Sequence, residues 1–338
     1  MTSENERLLK NIKEEKTVNQ ISLEMNISNK KIFQRIKNLS VNGYSFSRQY
    51  YYNGDIKYIL NKSFNDDDLT NRIIMDNEKN IFQALVVSDL HLGSCLERLD
   101  CLNLMYDYCI KNDIHIINAG DLVNGMFGCP NNICSYEEQA RYLLKNYPFD
   151  KNILNFVTLG NHDADSLFSS GLDLAKILYY NRHDIVPLGY TSGKIDVKGE
   201  SILIKHRIKS QQSNNSNLEN DSSFLTLNGH LHKFSVSNTG NLNIYVPSLS
   251  DIVLENASNT IPSFLKLQIT FSGHRASLVD VEQLIVSNNK ISVIGDTTLY
   301  VSTKTKSENT KQSNKQSNSN PPRNKTLERV KNKYIGKH

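Results

Sequence analysis

The stretch Ala84-Leu85-Val86-Val87-Ser88-Asp89-Leu90-His91 joins a short apolar run directly to two polar residues, Asp89 and His91. An apolar run of this length predicts a buried β-strand. Asp89 and His91 then lie at the carboxyl end of that strand, where open α/β sheets place their ligands. The stretch therefore predicts a parallel sheet in an α/β domain, with polar chemistry along one edge.

The same order of an apolar strand followed by polar residues recurs three times along the chain. Gly120-Asp121 ends the second strand, Gly160-Asn161-His162-Asp163 the third, and Gly229-His230-Leu231-His232 a fourth. A glycine at such a point lets the backbone turn close to a site. A single Asp-x-His or Gly-Asp is common in ordinary turns. The complete ordered set predicts a metal centre.

This set of motifs resembles the calcineurin-like metallophosphoesterase superfamily over about Leu85 to Val246. Within the superfamily it is most similar to the branch that contains the exonuclease subunit of archaeal D-family DNA polymerases, and to related bacterial and phage phosphoesterases. The resemblance implies an α/β fold of the four-layer αββα type. It also implies hydrolysis of a phosphoester, with DNA phosphodiesters as the nearest substrate.

The resemblance, combined with ligand chemistry, implies two divalent metal ions that share one carboxylate. The implied ligands are Asp89, His91 and His232 for one ion, Asn161, His206 and His230 for the other, and Asp121 for both. A carboxylate suits the shared position because its two oxygens can hold cations about 3.5 to 4 Å apart. The mixture of Asp, His and Asn favours Mn, with Fe or Zn as alternatives.

Four further residues are candidates for contact with the substrate. His162 resembles the family's non-ligand histidine, which supports the transition state or protonates the leaving oxygen; a structural role beside the ligands is its alternative. Asp163 follows it as a second catalytic candidate, and Asn124 and Arg207 are candidates for binding phosphate. Relatives usually carry Gly where Arg207 follows His206. Either the guanidinium grips a phosphate, or the loop is displaced and the second metal site is weaker.

Residues 1–60 predict a small winged helix-turn-helix domain of three helices and a β-hairpin. Ser3 and Thr17 open two short helices, and Ser28 can cap a third. Asn53-Gly54 favours a type I′ hairpin turn. The outer face of the third helix suits DNA contacts through Lys30, Lys31, Gln34, Arg35, Lys37 and Asn38. The alternative is that the domain packs on the catalytic body or a partner and its charges are merely solvated.

The rest of the chain divides by composition. Residues 61–80 are rich in Asn and Asp and predict a linker or packed connector, and 81–296 predict the phosphoesterase domain. Residues 297–338 form a basic low-complexity tail that we expect to be disordered. The formal net charge is +4. Because the excess of Lys and Arg lies in this tail, the overall charge is weak evidence for nucleic-acid binding by the folded body.

Composition also indicates the compartment. No stretch approaches the roughly 18 consecutive apolar residues of a membrane helix, which argues against a membrane partner. The five cysteines are odd in number and form no Cys-x-x-Cys pair. Free thiols in a reducing compartment are therefore expected, and a cytoplasmic location follows.

Two alternatives to DNA hydrolysis stay open. One is a phosphodiesterase or phosphatase for small molecules or nucleotides, in which the N-terminal domain is only a scaffold. The other is a non-enzymatic DNA-binding regulator with a relic phosphoesterase domain. The complete ligand set argues against the regulator, because drift removes charged site residues that no longer serve.

Overall fold

A computed structural model describes residues 3–61, 71–74, 79–126, 131–206, 223–239, 241–252 and 261–301. Its helices are α1 (Ser3–Lys13), α2 (Val18–Met25), α3 (Asn29–Val41), α4 (Leu99–Asn112), α5 (Tyr136–Asn146), α6 (Asn161–Ser170) and α7 (Leu174–Asn181). Its strands are β1 (Phe46–Tyr51), β2 (Ile56–Leu60), β3 (Asn71–Ile74), β4 (Ile81–Val87), β5 (His115–Asn118), β6 (Asn155–Thr158), β7 (Ile185–Gly189), β8 (Ser192–Val197), β9 (Glu200–Lys205), β10 (Leu225–Asn228), β11 (Ser235–Thr239), β12 (Asn241–Tyr245), β13 (Ser263–Ser272), β14 (Arg275–Ser287) and β15 (Lys290–Tyr300).

The seven-stranded sheet contains β4, β5 and β6, the strands that precede the motifs at Asp89, Asp121 and Asn161. Its order is β15-β14-β13-β4-β5-β6-β7. Strands β4 to β7 are parallel, and β13 runs antiparallel to β4. The carboxyl ends of β4, β5 and β6 consequently meet at one edge of the sheet.

Alternate residues of β4 enter two different apolar clusters. Ala84 and Val86 pack between the two sheets, together with residues such as Ile202 of β9. Leu85 and Val87 pack on the opposite face, against residues of α4 and α5. This alternation follows from the two-residue period of a strand. The sheets are therefore layered with helices on the outer face of the seven-stranded sheet, and the expected α/β class is confirmed.

The second sheet has eight strands in the order β11-β12-β10-β9-β8-β3-β1-β2. The hairpin of β1 and β2 belongs to it, because β3 pairs in parallel with both β1 and β8. An isolated two-stranded hairpin is marginally stable and leaves unpaired backbone groups at its edges. β3, from the span expected to be a linker or packed connector, supplies the missing partner.

The N-terminal helices form where the capping residues predict them. The Thr17 side chain accepts a hydrogen bond from Gln20 N, and the Gln20 side chain accepts one from Thr17 N. Ser28 Oγ accepts from Lys31 N at the start of α3. α1–α3 and the hairpin are part of one compact unit with both sheets. The winged helix-turn-helix assignment stays a prediction.

The hairpin turn differs from the type I′ turn expected of Asn53-Gly54. Gly54 has a φ of +81°, but Asn53 is not left-handed, and Tyr51 N donates to Asp55 O across a three-residue loop. The Asn53 side chain instead accepts from Asp55 N, a local bond that competes with the tight turn. A Cβ at Gly54 would lie 2.5 Å from Asn152 O, so the tip of the hairpin packs on the loop before β6.

At the C-terminal end of the described residues, β15 continues to Tyr300, beyond the boundary at Asp296 that composition indicated. Residues 302–338, which include most of the expected disordered tail, lie outside the described residues. None of the helices described is both long and apolar enough to cross a membrane.

Candidate metal centre

The loops that follow β4 and β5 are joined to each other by backbone hydrogen bonds. Asp89 N donates to Gly120 O at 2.8 Å, and Leu90 N donates to Asp121 O at 2.9 Å. His206 follows β9 and His230 follows β10 in the neighbouring sheet. Asn161 follows β6. The two sheets thus bring residues from five segments to one place, which no local stretch of sequence could do alone.

One cluster consists of Asp89, His91 and His232, whose ligand atoms lie within 4.8 Å of one another. His232 Nε2 is 3.3 Å and His91 Nε2 is 3.9 Å from Asp89 Oδ1. The two Nε2 atoms are 3.4 Å apart. All three side chains are buried. This is the set that the family resemblance implies for the first ion.

A second cluster consists of Asp121, His206 and His230, again within 4.8 Å. His206 Nε2 lies 3.0 Å from Asp121 Oδ2. Asp121 also belongs to a third group with His91 and His162. Asp121 therefore lies between the two clusters, the position that the shared carboxylate requires.

The donor atoms at this place fit divalent metal ions. Asn161 Oδ1 is buried and has no hydrogen-bond partner among the described residues, and Asp89 Oδ1 and His206 Nε2 are buried against other ligand atoms of the same clusters. Buried polar atoms of this kind are costly unless a ligand satisfies them. The mixture of carboxylate, amide and imidazole atoms suits Mn, Fe or Zn.

Two of the histidines are oriented through their other ring nitrogen. His206 Nδ1 lies 2.6 Å from Ala119 O, and His232 Nδ1 lies 3.1 Å from Ile252 O. Only an Nδ1–H can donate to these carbonyls, so the lone pair of each neutral ring is on Nε2. Such backbone contacts fix the tautomer that a metal ligand needs.

Five of the expected ligands have left-handed backbone conformations. The φ values are +55° for Asp89, +47° for His91, +55° for Asp121, +80° for His230 and +56° for His232. Non-glycine residues adopt this region rarely, although Asp and His do so more often than most. Conformations of this cost concentrate at functional sites. The surrounding structure therefore holds these five residues in left-handed conformations, which the sequence motifs did not predict.

Electrostatics at the centre favour charged carboxylates. Burial opposes ionisation of Asp121, but His206 and the other nearby histidines hold its pKa below the ordinary value. Burial lowers the pKa of His91 to about 4, so this ring is neutral and able to bind metal at pH 7. Burial also acts against protonation of His206, but Asp121 outweighs it and raises the pKa to about 10. Metal binding at His206 therefore releases a proton.

His162 lies beside both clusters and is only partly buried. Its Nδ1 is 2.6 Å from Asn124 O, which accepts a hydrogen bond from the ring, and its Nε2 is 3.8 Å from Asp121 Oδ2. The backbone N–H of His162 donates to Asp121 Oδ1 at 2.9 Å. The ring is thus oriented with Nε2 at the metal centre. Asn124, expected to contact phosphate, is buried and acts on His162 through its backbone carbonyl.

Asp163, expected from the sequence to be catalytic, contacts backbone groups around the metal centre, and its catalytic role stays a prediction. The residue is fully buried, and its two oxygens accept hydrogen bonds from the backbone N–H groups of Leu122, Val123 and Gly160 at 2.9 to 3.1 Å. Burial and the charge of Asp121 raise its pKa to about 6. The carboxylate ties the loop after β5 to the start of α6 and so sets the positions of Asp121 and His162.

The remaining expected site residues are distant from the clusters or outside the described residues. Arg207 belongs to the latter. On α3, Lys31 and Asn38 are exposed, and Arg35 pairs with Glu4 of α1. Lys30, Gln34 and Lys37 line a cleft between α3 and the main body, by which we mean residues 79–301.

Sequence reasoning missed the contacts made by the segment after β12. Ser248 Oγ donates to Asp89 O at 3.0 Å, and Ile252 supplies the carbonyl that orients His232. No motif marks either residue. Their contribution arises only because this segment returns to the first loop.

Comparison with known proteins agrees with the geometry. The description of the calcineurin-like phosphoesterase family matches residues 82–297, which is well over half of the chain. The chain belongs to this family of metal-dependent phosphoesterases. No curated protein matches its sequence.

Solved structures with a similar fold include a single-residue variant of Vps29 from Entamoeba histolytica, at 13% identity and a TM-score of 0.40, covering 64% of this chain and 99% of that one. A predicted phosphoesterase from Streptococcus pneumoniae has 14% identity and a TM-score of 0.35, covering 63% and 97%. A novel archaeal phosphodiesterase has 14% identity and a TM-score of 0.36, covering 56% and 100%. Likenesses at these values bear on neither substrate nor activity.

Proposed function

We propose that this protein is a dinuclear metal-dependent phosphodiesterase and that its substrate is DNA. The observation that carries the proposal is the position of Asp121, which groups with His206 and His230 on one side and with His91 and His162 on the other, and has a different partner at each oxygen. A carboxylate placed in this way can hold two cations at the separation needed for in-line displacement at phosphorus.

Bound divalent ions would supply a water of lowered pKa and neutralise charge on the phosphoryl oxygens. Asp89, His91 and His232 would hold one ion, and Asn161, His206 and His230 the other. The protein's own contribution to proton transfer is His162. With Nδ1–H donating to Asn124 O, the ring can carry a second proton at Nε2 and deliver it to the leaving oxygen.

DNA as the substrate is supported by the likeness of the motifs around Asp89, Asp121 and Asn161 to the D-family exonuclease branch. The cationic face of α3 is compatible with it. Mn is the metal that we propose, on the chemistry of the ligand set. A reducing, cytoplasmic setting is supported by the free thiols of Cys101, Cys109 and Cys134.

Purified full-length protein with Mn²⁺ tests the proposal. We expect release of nucleotides from single- or double-stranded DNA. His162→Gln should lower kcat about 10²- to 10⁴-fold with little loss of bound metal, because it removes the proton donor and no expected ligand. Asp121→Asn should lower both the bound metal and the activity.

Two matched controls separate these effects from general damage. His274→Gln and Asp107→Asn make the same chemical changes at exposed positions and should leave activity unchanged. Hydrolysis of bis-p-nitrophenyl phosphate or nucleotides without any action on DNA would overturn DNA as the substrate and favour the small-molecule alternative. Tight DNA binding with no hydrolysis of any phosphoester would favour a regulator and refute the enzyme.

A further inference from the structure

A cleft of about 840 Å³ lies between the N-terminal elements and the main body. It is lined by the start and one face of α3, by the end of α7, by Arg48 of β1, and by Lys151 and Asn152, which precede β6. This volume is within the roughly 300 to 1,000 Å³ of typical small-ligand sites.

The cleft is separate from the metal centre because it lies near the amino ends of β6 and β7, whereas the metal centre lies at the carboxyl ends of β4, β5 and β6. Asn161 follows β6, whereas Asn152 precedes it, and Arg182 and His183 precede β7. The four residues of β6 alone span about 13 Å. A molecule bound in the cleft is therefore not the phosphoester at the metal centre.

The charge of the lining is strongly positive. Five cationic side chains face a single carboxylate, that of Asp55: they are Lys30, Lys37, Arg48, Lys151 and Arg182. Asp55 already accepts hydrogen bonds from Asn19 N and Ile56 N. Arg182 is paired with Asp184, but no carboxylate among the described residues pairs with the other four. The first turn of α3, which also lines the cleft, adds the positive end of a helix dipole.

Arg48 has a charge that the described part of the protein does not neutralise. Its guanidinium carbon lies 3.8 Å from the centroid of the Tyr179 ring, as a cation stacked on an aromatic face. Nε and Nη1 are buried without a hydrogen-bond partner. A buried cation is costly unless it is paired, so this position favours an anion at the cleft.

Aromatic rings line the same cleft as these cations. Phe33 stacks on His183 with ring centroids 4.1 Å apart, and Phe149 packs edge-on against the same histidine. Lys37 Nζ lies 5.9 Å from the ring of Tyr180. Cations that hold phosphate, together with exposed ring surface on which bases stack, are the combination that binds nucleotide units independently of sequence.

We propose that this cleft binds a phosphorylated nucleoside, either a free nucleotide or one unit of a single strand, at a site distinct from the metal centre. Gln34, which was expected to read base edges in a duplex, lines this cleft and can contact the base of the bound unit. Lys30, Lys37 and Lys151 hold the phosphate.

Binding is measured on the full-length protein in EDTA, so that metal ions at the catalytic centre do not contribute. The probes, titrated separately by calorimetry, are AMP, dTMP, inorganic phosphate and the oligonucleotide dT6. We expect saturable binding of at least one nucleotide probe, and weaker binding of inorganic phosphate because it lacks a base. Tighter binding of dT6 than of dTMP would identify a single strand as the source, and equal binding a free nucleotide.

The variant Lys30→Glu/Lys151→Glu reverses two exposed charges at the cleft and should weaken nucleotide binding about tenfold or more. The matched control is Lys31→Glu/Lys145→Glu, which makes the same change in net charge at exposed positions that do not line the cleft. It should bind as the wild type does. Hydrolysis of bis-p-nitrophenyl phosphate with Mn²⁺, which needs only the metal centre, should be unchanged in both variants, so a failure here is separate from a failure of the proposed enzyme.

Two results would overturn the proposal. The first is no saturable binding of any nucleotide probe. The second is an equal loss of affinity in the control pair, which would mean that the attraction comes from overall charge and not from the cleft.

Discussion

Gly160→Ala removes no expected ligand and yet should disable the metal centre. A Cβ at position 160 would lie 2.1 Å from Asp121 Oδ1 and 2.6 Å from Asp121 N. The φ of Gly160 is −100°, which alanine tolerates, so the effect is purely steric. The added methyl group therefore acts on the one carboxylate that lies between the two ligand clusters.

The magnitude follows from the overlap. An ordinary contact of a Cβ atom begins at 3.4 Å, so Asp121 Oδ1 must move by about 1.3 Å or α6 must shift away from it. Overpacking of this kind costs about 1 to 3 kcal/mol of unfolding free energy. A displacement of about 1 Å at a reacting centre can lower the rate about 10²-fold. We expect both effects, with the larger consequence for metal binding and catalysis.

The assay combines Mn²⁺ titration by calorimetry, hydrolysis of bis-p-nitrophenyl phosphate, and urea unfolding in EDTA. Gly171→Ala is the matched control, since Gly171 ends the same helix with a φ of +73° and has nothing within 4 Å of its added Cβ. It should lose about 1 kcal/mol of unfolding free energy and keep its metal affinity. Wild-type metal affinity and activity in Gly160→Ala would refute the steric reasoning.

Two further predictions concern buried titratable groups. Asp163→Asn leaves one amide oxygen for three backbone N–H donors, and relief of repulsion with Asp121 offsets only part of that loss. Urea unfolding in EDTA at pH 8 should therefore show about 1 to 3 kcal/mol less unfolding free energy than the wild type. A stability at or above that of the wild type would contradict this prediction. Burial lowers the pKa of His115 from 6.5 to about 4. Because the unfolded chain takes up this proton first, the wild type should lose up to about 3 kcal/mol as the pH falls from 6.5 to 4, and His115→Gln should lack this component. The difference in unfolding free energy between the two proteins, measured as a function of pH, gives the contribution of His115. A difference that does not change with pH would contradict the lowered pKa of His115.

The parts of the site that the sequence predicted are those with local signatures. Asp89, Asp121 and Asn161 each follow a short apolar strand, and the rule that parallel strands end at one edge placed them together. His206 differs from the other expected ligands because Arg207 follows it where relatives usually carry Gly. Its place beside Asp121 depends on β9 lying in the second sheet, which no local pattern specifies.

The parts that the sequence did not predict depend on long-range contacts. The role of Asp163 follows from three backbone donors, two of which are about forty residues away. Ser248 supports Asp89 from 159 positions further along the chain. Side chains with several possible partners cannot be assigned until the backbone groups around them are placed.

Hydrophobic periodicity and turn glycines act within a few residues, and they were enough to predict the α/β class, the parallel strands and the residues at their carboxyl ends. The use of the N-terminal hairpin could not be predicted in this way, because it depends on a partner strand from another part of the chain. β3 joins it to the eight-stranded sheet, since exposed strand edges are stabilised by whichever partner the fold brings within hydrogen-bonding distance. The same packing turned Lys30, Gln34 and Lys37 of α3 towards the main body and formed the cationic cleft between them.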